Sequence, residues 1–168
     1  MLKLTDRKWK LFKLVGEYGL FKYGHGNRLK VLDRKEGNIP LVTAGAFNNG
    51  VKSKVAETIK NKKYRNAITI DMFGCVFYHD YEFICDDNIY PIYPINNKRV
   101  GLFLSTIIEK HLNNNFGIQF REYILKSLKI ILPVDQNNNP DWKFMEDYIN
   151  ERERLLSKFN YPFFKETK

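Results

Sequence analysis

The sequence contains few cysteines and no long hydrophobic run. Cys75 and Cys85 are its only cysteines, and neither belongs to a closely spaced pair of the kind that builds a zinc site. In a reducing compartment both thiols would stay free, so the fold must be held together by a hydrophobic core. No apolar run approaches the roughly 18 residues of a membrane-spanning helix, and the N-terminus lacks the apolar stretch of a signal peptide. We therefore expect a cytoplasmic protein without a membrane partner or a bound metal ion.

Catalytic motifs are also scarce. A DNA methyltransferase would need a glycine-rich cofactor turn after a strand and an Asn-Pro-Pro-Tyr type of motif, and neither occurs. A metal-dependent nuclease would need clustered carboxylates to hold magnesium. Asp86, Asp87 and Asp135 are the best candidates, but adjacent acids point to opposite sides of a strand and Asp135 falls in a turn. We expect a non-catalytic protein without a cofactor, and keep a small metal-dependent nuclease as a less favoured alternative.

Positive charge exceeds negative charge. The 168 residues include 28 Lys and Arg against 19 Asp and Glu, which makes the formal net charge +9. Such an excess favours a polyanionic partner, whose binding would depend strongly on salt through counterion release. Charge alone leaves open DNA, RNA, an anionic membrane, or a solvated surface with no partner. Because 43% of the residues are hydrophobic, the chain can bury one sizeable core, which predicts one globular domain with a short appendage.

The pattern of apolar residues predicts a mixed fold. A capped helical turn and a short strand at 11–15 open the chain, and residues 101–113 have the three-and-four spacing of a core-packed helix. Segments rich in β-branched and aromatic residues, separated by glycines and polar turns, predict strands at 39–44, 51–55, 67–70, 74–78 and 89–92. We expect an α/β (α+β) domain with a twisted, mostly antiparallel sheet and packed helices.

Residues 16–38 contain several glycines, few aliphatic side chains and many basic ones, which predicts a long exposed loop. Loops without a core of their own usually carry function, so residues 22–35 are the first candidate contact surface. Asn27 could pair with adenine and Arg28 with guanine, while a tyrosine could pack on a sugar or base. A flexible solvated loop is the alternative. The candidate nucleic-acid contacts here are Lys22, Tyr23, His25, Asn27, Arg28 and Lys30.

Further candidate contacts follow the polar turns of the predicted sheet. The Asn-Asn-Gly turn at 48–50 tolerates positive φ, and lysines emerge just after it. Basic residues surround a tyrosine at 60–66, a composition that suits phosphate contacts, chiefly by Lys62 and Lys63. His79 is as consistent with a buried structural histidine as with a ligand contact. The added candidates are Asn49, Lys52, Lys54, Lys62, Lys63, Tyr64, Arg65, Tyr78 and His79.

The C-terminal region begins with a predicted strand at 129–132, which Pro133 should end. A helix should follow, with Asn139 as its cap and Pro140 in its first position. Its apolar residues step by three and four, like one seam of a coiled coil, interrupted by Arg152. The helix either packs back on its own domain or binds a partner helix through Trp142, Met145, Ile149, Leu156 and Phe159.

Several segments occur in an order that is specific when taken together. They are 9–12 (WKLF), 39–44 (IPLVTA), 48–51 (NNGV), 74–79 (GCVFYH) before Asp87 and Asn88, and the junction 132–149 (LPVDQNNNPDWKFMEDYI). In this order they resemble the target-recognition domain of DNA specificity subunits in type I and related restriction-modification systems, including the two-subunit type IIB enzymes.

The resemblance implies a domain that binds double-stranded DNA at 1–139 and a C-terminal helix with its tail at 140–168. In such proteins the Asn-Asn-Gly turn is typical, and we interpret it as scaffold that directs neighbouring side chains toward DNA. Methyltransferase and restriction subunits carry out the chemistry, and the helix contacts a methyltransferase subunit or another specificity helix. Members usually hold two such domains, so one domain implies a homodimer, a half-subunit or a fragment. A basic interaction module, either a decoy for the methyltransferase partner or an RNA binder, is the alternative from another class.

Overall fold

The computed structural model describes residues 1–113 and 119–158, which form short strands and helices. The helices are α1 (Lys98–Asn113), α2 (Glu122–Ser127) and α3 (Trp142–Lys158). The strands are β1 (Lys8–Lys13), β2 (Lys22–Tyr23), β3 (Glu36–Val42), β4 (Val51–Val55), β5 (Ala67–Asp71), β6 (Val76–His79), β7 (Ile84–Cys85), β8 (Ile89–Tyr93) and β9 (Lys129–Val134). This mixture of packed helices and mostly antiparallel strands confirms the predicted fold class.

The main core lies between a four-stranded sheet and α1. The sheet has the order β2-β8-β5-β6, and all its neighbouring strands are antiparallel. Every residue of β5 is buried, because β5 has a neighbour on each side and α1 packs against the sheet. Ile68 and Ile70 of β5 share one hydrophobic cluster with Leu104 and Ile108 of α1. Burying each such aliphatic side chain contributes about 1.5–3 kcal/mol.

A second sheet has the order β4-β3-β7. β3 and β4 form an antiparallel hairpin, whereas β3 and β7 are parallel through Leu41 with Ile84 and Val42 with Cys85. The expected single open sheet is therefore divided, and the two-residue strands β2 and β7 were missed. Strands this short lack the alternation from which a strand is predicted, and only their pairing partners define them.

A third, two-stranded ribbon joins β1 to β9. The first strand occupies Lys8–Lys13, three residues before the expected 11–15. The prediction that Pro133 ends β9 is wrong, because Pro133 pairs with Trp9 and the strand continues to Val134. The backbone of Pro133 faces away from β1, since its carbonyl accepts the Asp141 N–H at 2.9 Å, so the missing N–H breaks no bond of the β1–β9 ladder.

Side-chain caps set the starts of the two longer helices. The Asn97 carboxamide oxygen accepts the backbone N–H groups two and three residues later, so α1 begins at Lys98, before the first residue of the predicted helix. Asp141 accepts the N–H three residues later at 2.9 Å and caps α3. The predicted cap, Asn139, instead donates its N–H to Asp135 in the preceding turn, and Pro140 lies before the helix.

The first turns of α3 pack on the domain. Phe144 and Met145 are buried, and Ile149 packs against the main hydrophobic cluster. Farther along, Glu153 pairs with Arg99 of α1 at 2.7 Å. Helix α3 therefore docks on its own domain for about three turns. No helix within the described ranges is long and apolar enough to cross a membrane.

Candidate nucleic-acid interface

Several loops leave the sheets at the same end of the domain. Asp71 at the end of β5 pairs with Ile89 at the start of β8, and Val42 at the end of β3 pairs with Cys85 at the end of β7. Backbone hydrogen bonds join the loops that follow, including one from the Asp86 N–H to the Val42 carbonyl. The shared surface, called the loop end below, comprises residues 24–30, 43–50, 72–75 and 86–88.

Residues 24–30 are held in place, which contradicts the flexible-loop alternative. The N–H of Gly26 donates to a carbonyl of β8 at 2.9 Å. A Cβ at this position would collide with the Asp86 carbonyl, so the close approach requires glycine. The Asn27 side chain donates to the Lys60 carbonyl at 2.7 Å, so its amide nitrogen already has a protein partner. Asn27 is exposed, and its amide joins two loops.

Arg28 and His25 converge on Asp87. The Arg28 guanidinium lies 3.3 Å from the Asp87 carboxylate while its side chain stays 68% exposed. His25 donates from Nε2 to the Asp87 carbonyl, and its ring stacks on Tyr90 with centroids 4.9 Å apart. Both exposed side chains are thereby held by the same residue. Sequence reasoning missed Asp87 in this role because it lies 59 positions from Arg28.

The carboxylates considered for a nuclease have structural partners. Asp86 pairs with Arg34 at 3.2 Å and accepts the N–H of Leu29 at 3.1 Å. Asp135 accepts two N–H groups of its own turn, including that of Asn137 at 2.8 Å. Within residues 1–113 and 119–158, no group of three or more His, Cys, Asp or Glu side chains could hold a metal ion.

The Asn-Asn-Gly turn has the left-handed backbone that its composition predicts. The φ angles of Asn48, Asn49 and Gly50 are 49°, 52° and 76°. The Asn48 side chain closes the turn on the Val51 carbonyl at 3.1 Å. Asn49 is exposed at the loop end, and the exposed lysines of β4, Lys52 and Lys54, follow the turn.

The basic segment at 60–66 is only partly available for a phosphate. Lys62 is exposed, although its ammonium donates to the Tyr93 hydroxyl at 3.0 Å. Lys63 pairs with Glu57 at 3.0 Å and Glu82 at 3.2 Å, and these hydrogen bonds raise the pKa of Lys63. Lys63 is thus neutralised locally, which weakens it as a phosphate contact.

The structure removes Tyr64 from the contact set and gives Arg65 a partner. The Tyr64 side chain is buried beneath Gly24, and burial raises the pKa of its hydroxyl. Arg65 is exposed and donates to the Asp80 carbonyl at 3.3 Å. The tyrosine belongs to the core because an isolated antiparallel bridge pairs it with Phe83, directly before β7, a contact that the local sequence does not encode.

His79 and Tyr78 are also structural, which corrects their assignment as DNA contacts. The His79 ring is fully buried and bonds to the hydroxyls of Thr69 and Tyr81, each at 2.9 Å. Burial lowers the pKa of His79 to about 4, so the ring is neutral at physiological pH. The Tyr78 hydroxyl donates to the Ile95 carbonyl at 3.0 Å, and its ring lies against Gly101. Helix α1 packs on the Tyr78 face of this strand, while Tyr81 and Phe83 cover His79 on the other face, so His79 cannot reach DNA without opening the core.

The remaining candidate DNA contacts, between residues 22 and 30, lie in different parts of the structure. Tyr23 is half-buried and donates its hydroxyl to Glu122 of α2 at 2.9 Å, so it joins β2 to α2. Lys22 is exposed but pairs with Tyr93, at the opposite end of β8 from the loop end. Lys30 is exposed on the loop end itself. Lys22 and Lys62 are thus both neighbours of Tyr93, away from the loop end.

The expected partner-binding seam of α3 is divided between core and surface. Met145 is fully buried and Ile149 packs on the core, so Met145 is unavailable to a partner. Trp142 and Leu156 are 38% and 39% exposed. Phe159 lies outside the described residues. The sequence pattern could not separate these roles, because the seam shows which side is apolar and not what covers it.

These observations describe a mixed α/β recognition domain: rigid loops hold polar and basic side chains at one end, and a terminal helix packs on α1. The family model described as "Type I restriction modification DNA specificity domain" matches residues 7–158. The chain belongs to this family, which confirms the resemblance of its sequence segments.

Similar proteins include specificity subunits. The curated "Type II restriction enzyme BgcI specificity subunit S.BcgI" of Heyndrickxia coagulans is 32% identical over 162 residues, which cover 91% of this chain and 46% of that protein. The HsdS subunit from Thermoanaerobacter tengcongensis has a similar structure, with a TM-score of 0.62 at 13% identity over 95% of this chain and 40% of its own. The type I S subunit from M. genitalium has a TM-score of 0.56 at 19% identity, with coverage of 92% and 43%.

The structural similarities establish the fold, and the family match establishes the relationship. The chain spans less than half the length of these relatives.

Proposed function

We propose that this chain recognises a sequence in double-stranded DNA as a specificity domain of a restriction-modification system, acting in the cytoplasm without catalysis of its own. Methyltransferase and restriction subunits would carry out the chemistry. The observation that carries the proposal is the loop end, where Arg28 and His25 are fixed on Asp87 in a chain of net charge +9. Membership of the DNA specificity domain family supports it.

Recognition divides into contacts that position the DNA and contacts that distinguish bases. The exposed lysines Lys30, Lys52 and Lys54 suit phosphates, because a flexible ammonium acts as a point charge. Arg28 presents a planar fork that matches the two acceptors of guanine in the major groove, and Asn49 offers an amide that suits adenine. An anchored arginine loses less conformational freedom on binding, so Asp87 favours both affinity and selectivity.

Selection from a random duplex library tests the proposal. The full chain should enrich one sequence motif at moderate salt, above a background of non-specific binding. Arg28→Ala should lose roughly 1–3 kcal/mol and relax preference at one position, whereas Lys52→Ala should weaken all sequences about equally. A library without an enriched motif at low and moderate salt would refute sequence recognition. Equal affinity for RNA and DNA duplexes would favour the basic interaction module.

The second part of the proposal concerns assembly. We place the recognition domain at 1–139 and the helix with its tail at 140–168, and assign partner contact to the exposed part of α3, including Leu156. The occupant is a methyltransferase subunit or a second copy of this chain. A solved structure that concerns complex assembly of the type I restriction-modification system has a TM-score of 0.65 to this chain, so the two folds are similar.

A further inference from the structure

Two phenylalanines at the loop end project into solvent. Phe47 is 90% exposed and Phe73 is 65% exposed, although most other aromatic side chains of this domain pack in its core. Phe47 precedes the Asn-Asn-Gly turn, and Phe73 lies in the tight turn between β5 and β6. A phenyl ring forms no conventional hydrogen bond, so its favourable contacts on a partner are with apolar or π surface or with a cation.

One buried carboxylate organises both turns. Asp71 is 3% exposed and accepts the N–H of Gly45 through Oδ2 at 2.8 Å. Its Oδ1 accepts the N–H groups of Phe73 and Cys75, each at 2.8 Å. Because charge-assisted hydrogen bonds from both turns end on the same side chain, the turns are held relative to one another. Little backbone entropy would be lost when these turns engage a partner.

The same turns are continuous with the candidate base-contacting site. The N–H of Met72 donates to the Asn88 carbonyl at 3.1 Å, and Asn88 directly follows Asp87, which anchors Arg28. The apolar rings and the arginine therefore belong to one rigid surface. The chain's net charge of +9 favours a polyanion as the occupant of that surface.

We propose that Phe47 and Phe73 wedge against a base step and unstack it, while Arg28 contacts a neighbouring base pair. Apolar side chains inserted between base steps kink the duplex and expose more surface to the protein. The energy needed to unstack a step depends on its sequence, so the rings contribute selectivity at positions without a hydrogen bond. This inference rests on the proposed DNA recognition and adds DNA deformation to it.

The test uses the duplex that the wild-type chain selects, with 2-aminopurine placed in turn at each position in and beside the motif. 2-Aminopurine is less quenched when it is unstacked. Binding should therefore raise its fluorescence at one position or at two adjacent positions, which mark the unstacked step. Phe47→Ala with Phe73→Ala should abolish that rise and weaken binding by about tenfold or more. Tyr18→Ala is the matched control, because Tyr18 is 91% exposed and lies in the turn before β2, outside the loop end. Thermal unfolding should be unchanged in all variants.

The failures of the two proposals are distinguishable. No selected motif would refute the proposed function, whereas a selected motif without any fluorescence rise would refute the wedge alone. A rise that survives in the double variant would also overturn the wedge. If the double variant keeps its DNA affinity and loses only its binding to a methyltransferase subunit, the two rings form a protein contact and the inference is wrong.

Discussion

At the residue scale, burial separates side chains that the sequence presents as equivalent. His25 and His79 each follow a short segment that contains a tyrosine. His25 is nevertheless exposed at the loop end, whereas His79 has no exposed surface. Arg28 and Lys63 are both exposed, but Arg28 has one carboxylate partner whereas Lys63 lies between two glutamates. Exposure and pairing within the protein, rather than residue type, therefore separate the stronger candidates for DNA contact from the weaker ones.

The buried histidine predicts a pH dependence of stability. The pKa of His79 is about 4 in the folded chain and near 6.5 when exposed, so the unfolded state binds more protons between these values. Stability from this group is present above pH 6.5 and is lost as the pH falls toward 4, with about 2 kcal/mol lost between pH 7 and pH 5. His79→Gln removes the titration. Urea unfolding at both pH values should show a larger loss for wild type than for the variant, and equal losses would contradict the buried neutral ring.

At the element scale, α3 combines two roles along one helix. Its first turns pack against the core through Met145 and Ile149, and it continues past the Glu153–Arg99 pair to an exposed Leu156. A substitution at Ile149 therefore acts on folding, and one at Leu156 acts on whatever contacts the exposed turn. The predicted apolar seam combined these two positions.

Leu156→Asp should leave thermal unfolding nearly unchanged and weaken association with a second copy or a methyltransferase subunit. Ile149→Asp should destabilise the domain by several kcal/mol, because it places an unpaired carboxylate against the core. Ser157→Asp introduces the same charge one residue away and serves as the control. Sedimentation and co-purification with the methyltransferase subunit measure association. Unfolding by Leu156→Asp, or unchanged association, would exclude α3 as a partner contact.

At the scale of the whole molecule, the excess positive charge predicts salt-dependent DNA binding. The logarithm of the binding constant should fall with the logarithm of salt concentration by about 0.9 per phosphate contacted. Lys52→Gln with Lys54→Gln should reduce that slope by about 2, since both side chains leave the edge strand beside the loop end.

Lys8→Gln with Lys10→Gln removes the same charge from β1, another strand with alternating exposed lysines, and should leave the slope unchanged. Anisotropy titrations at several salt concentrations measure both slopes. An equal change in the two double variants would show that binding depends on net charge and not on the loop end.

The family, the mixed fold class and the local features follow from the amino-acid sequence alone. Val51–Val55 was predicted with its observed bounds, because β-branched alternation after an Asn-Asn-Gly turn is a local signal. Only the packing of separate segments shows that His79 is buried against Thr69 of β5 and that Arg28 is fixed on Asp87, 59 positions away. The physical reason is that periodicity specifies which side of an element is apolar or polar, whereas accessibility and anchoring depend on which distant segment packs against it.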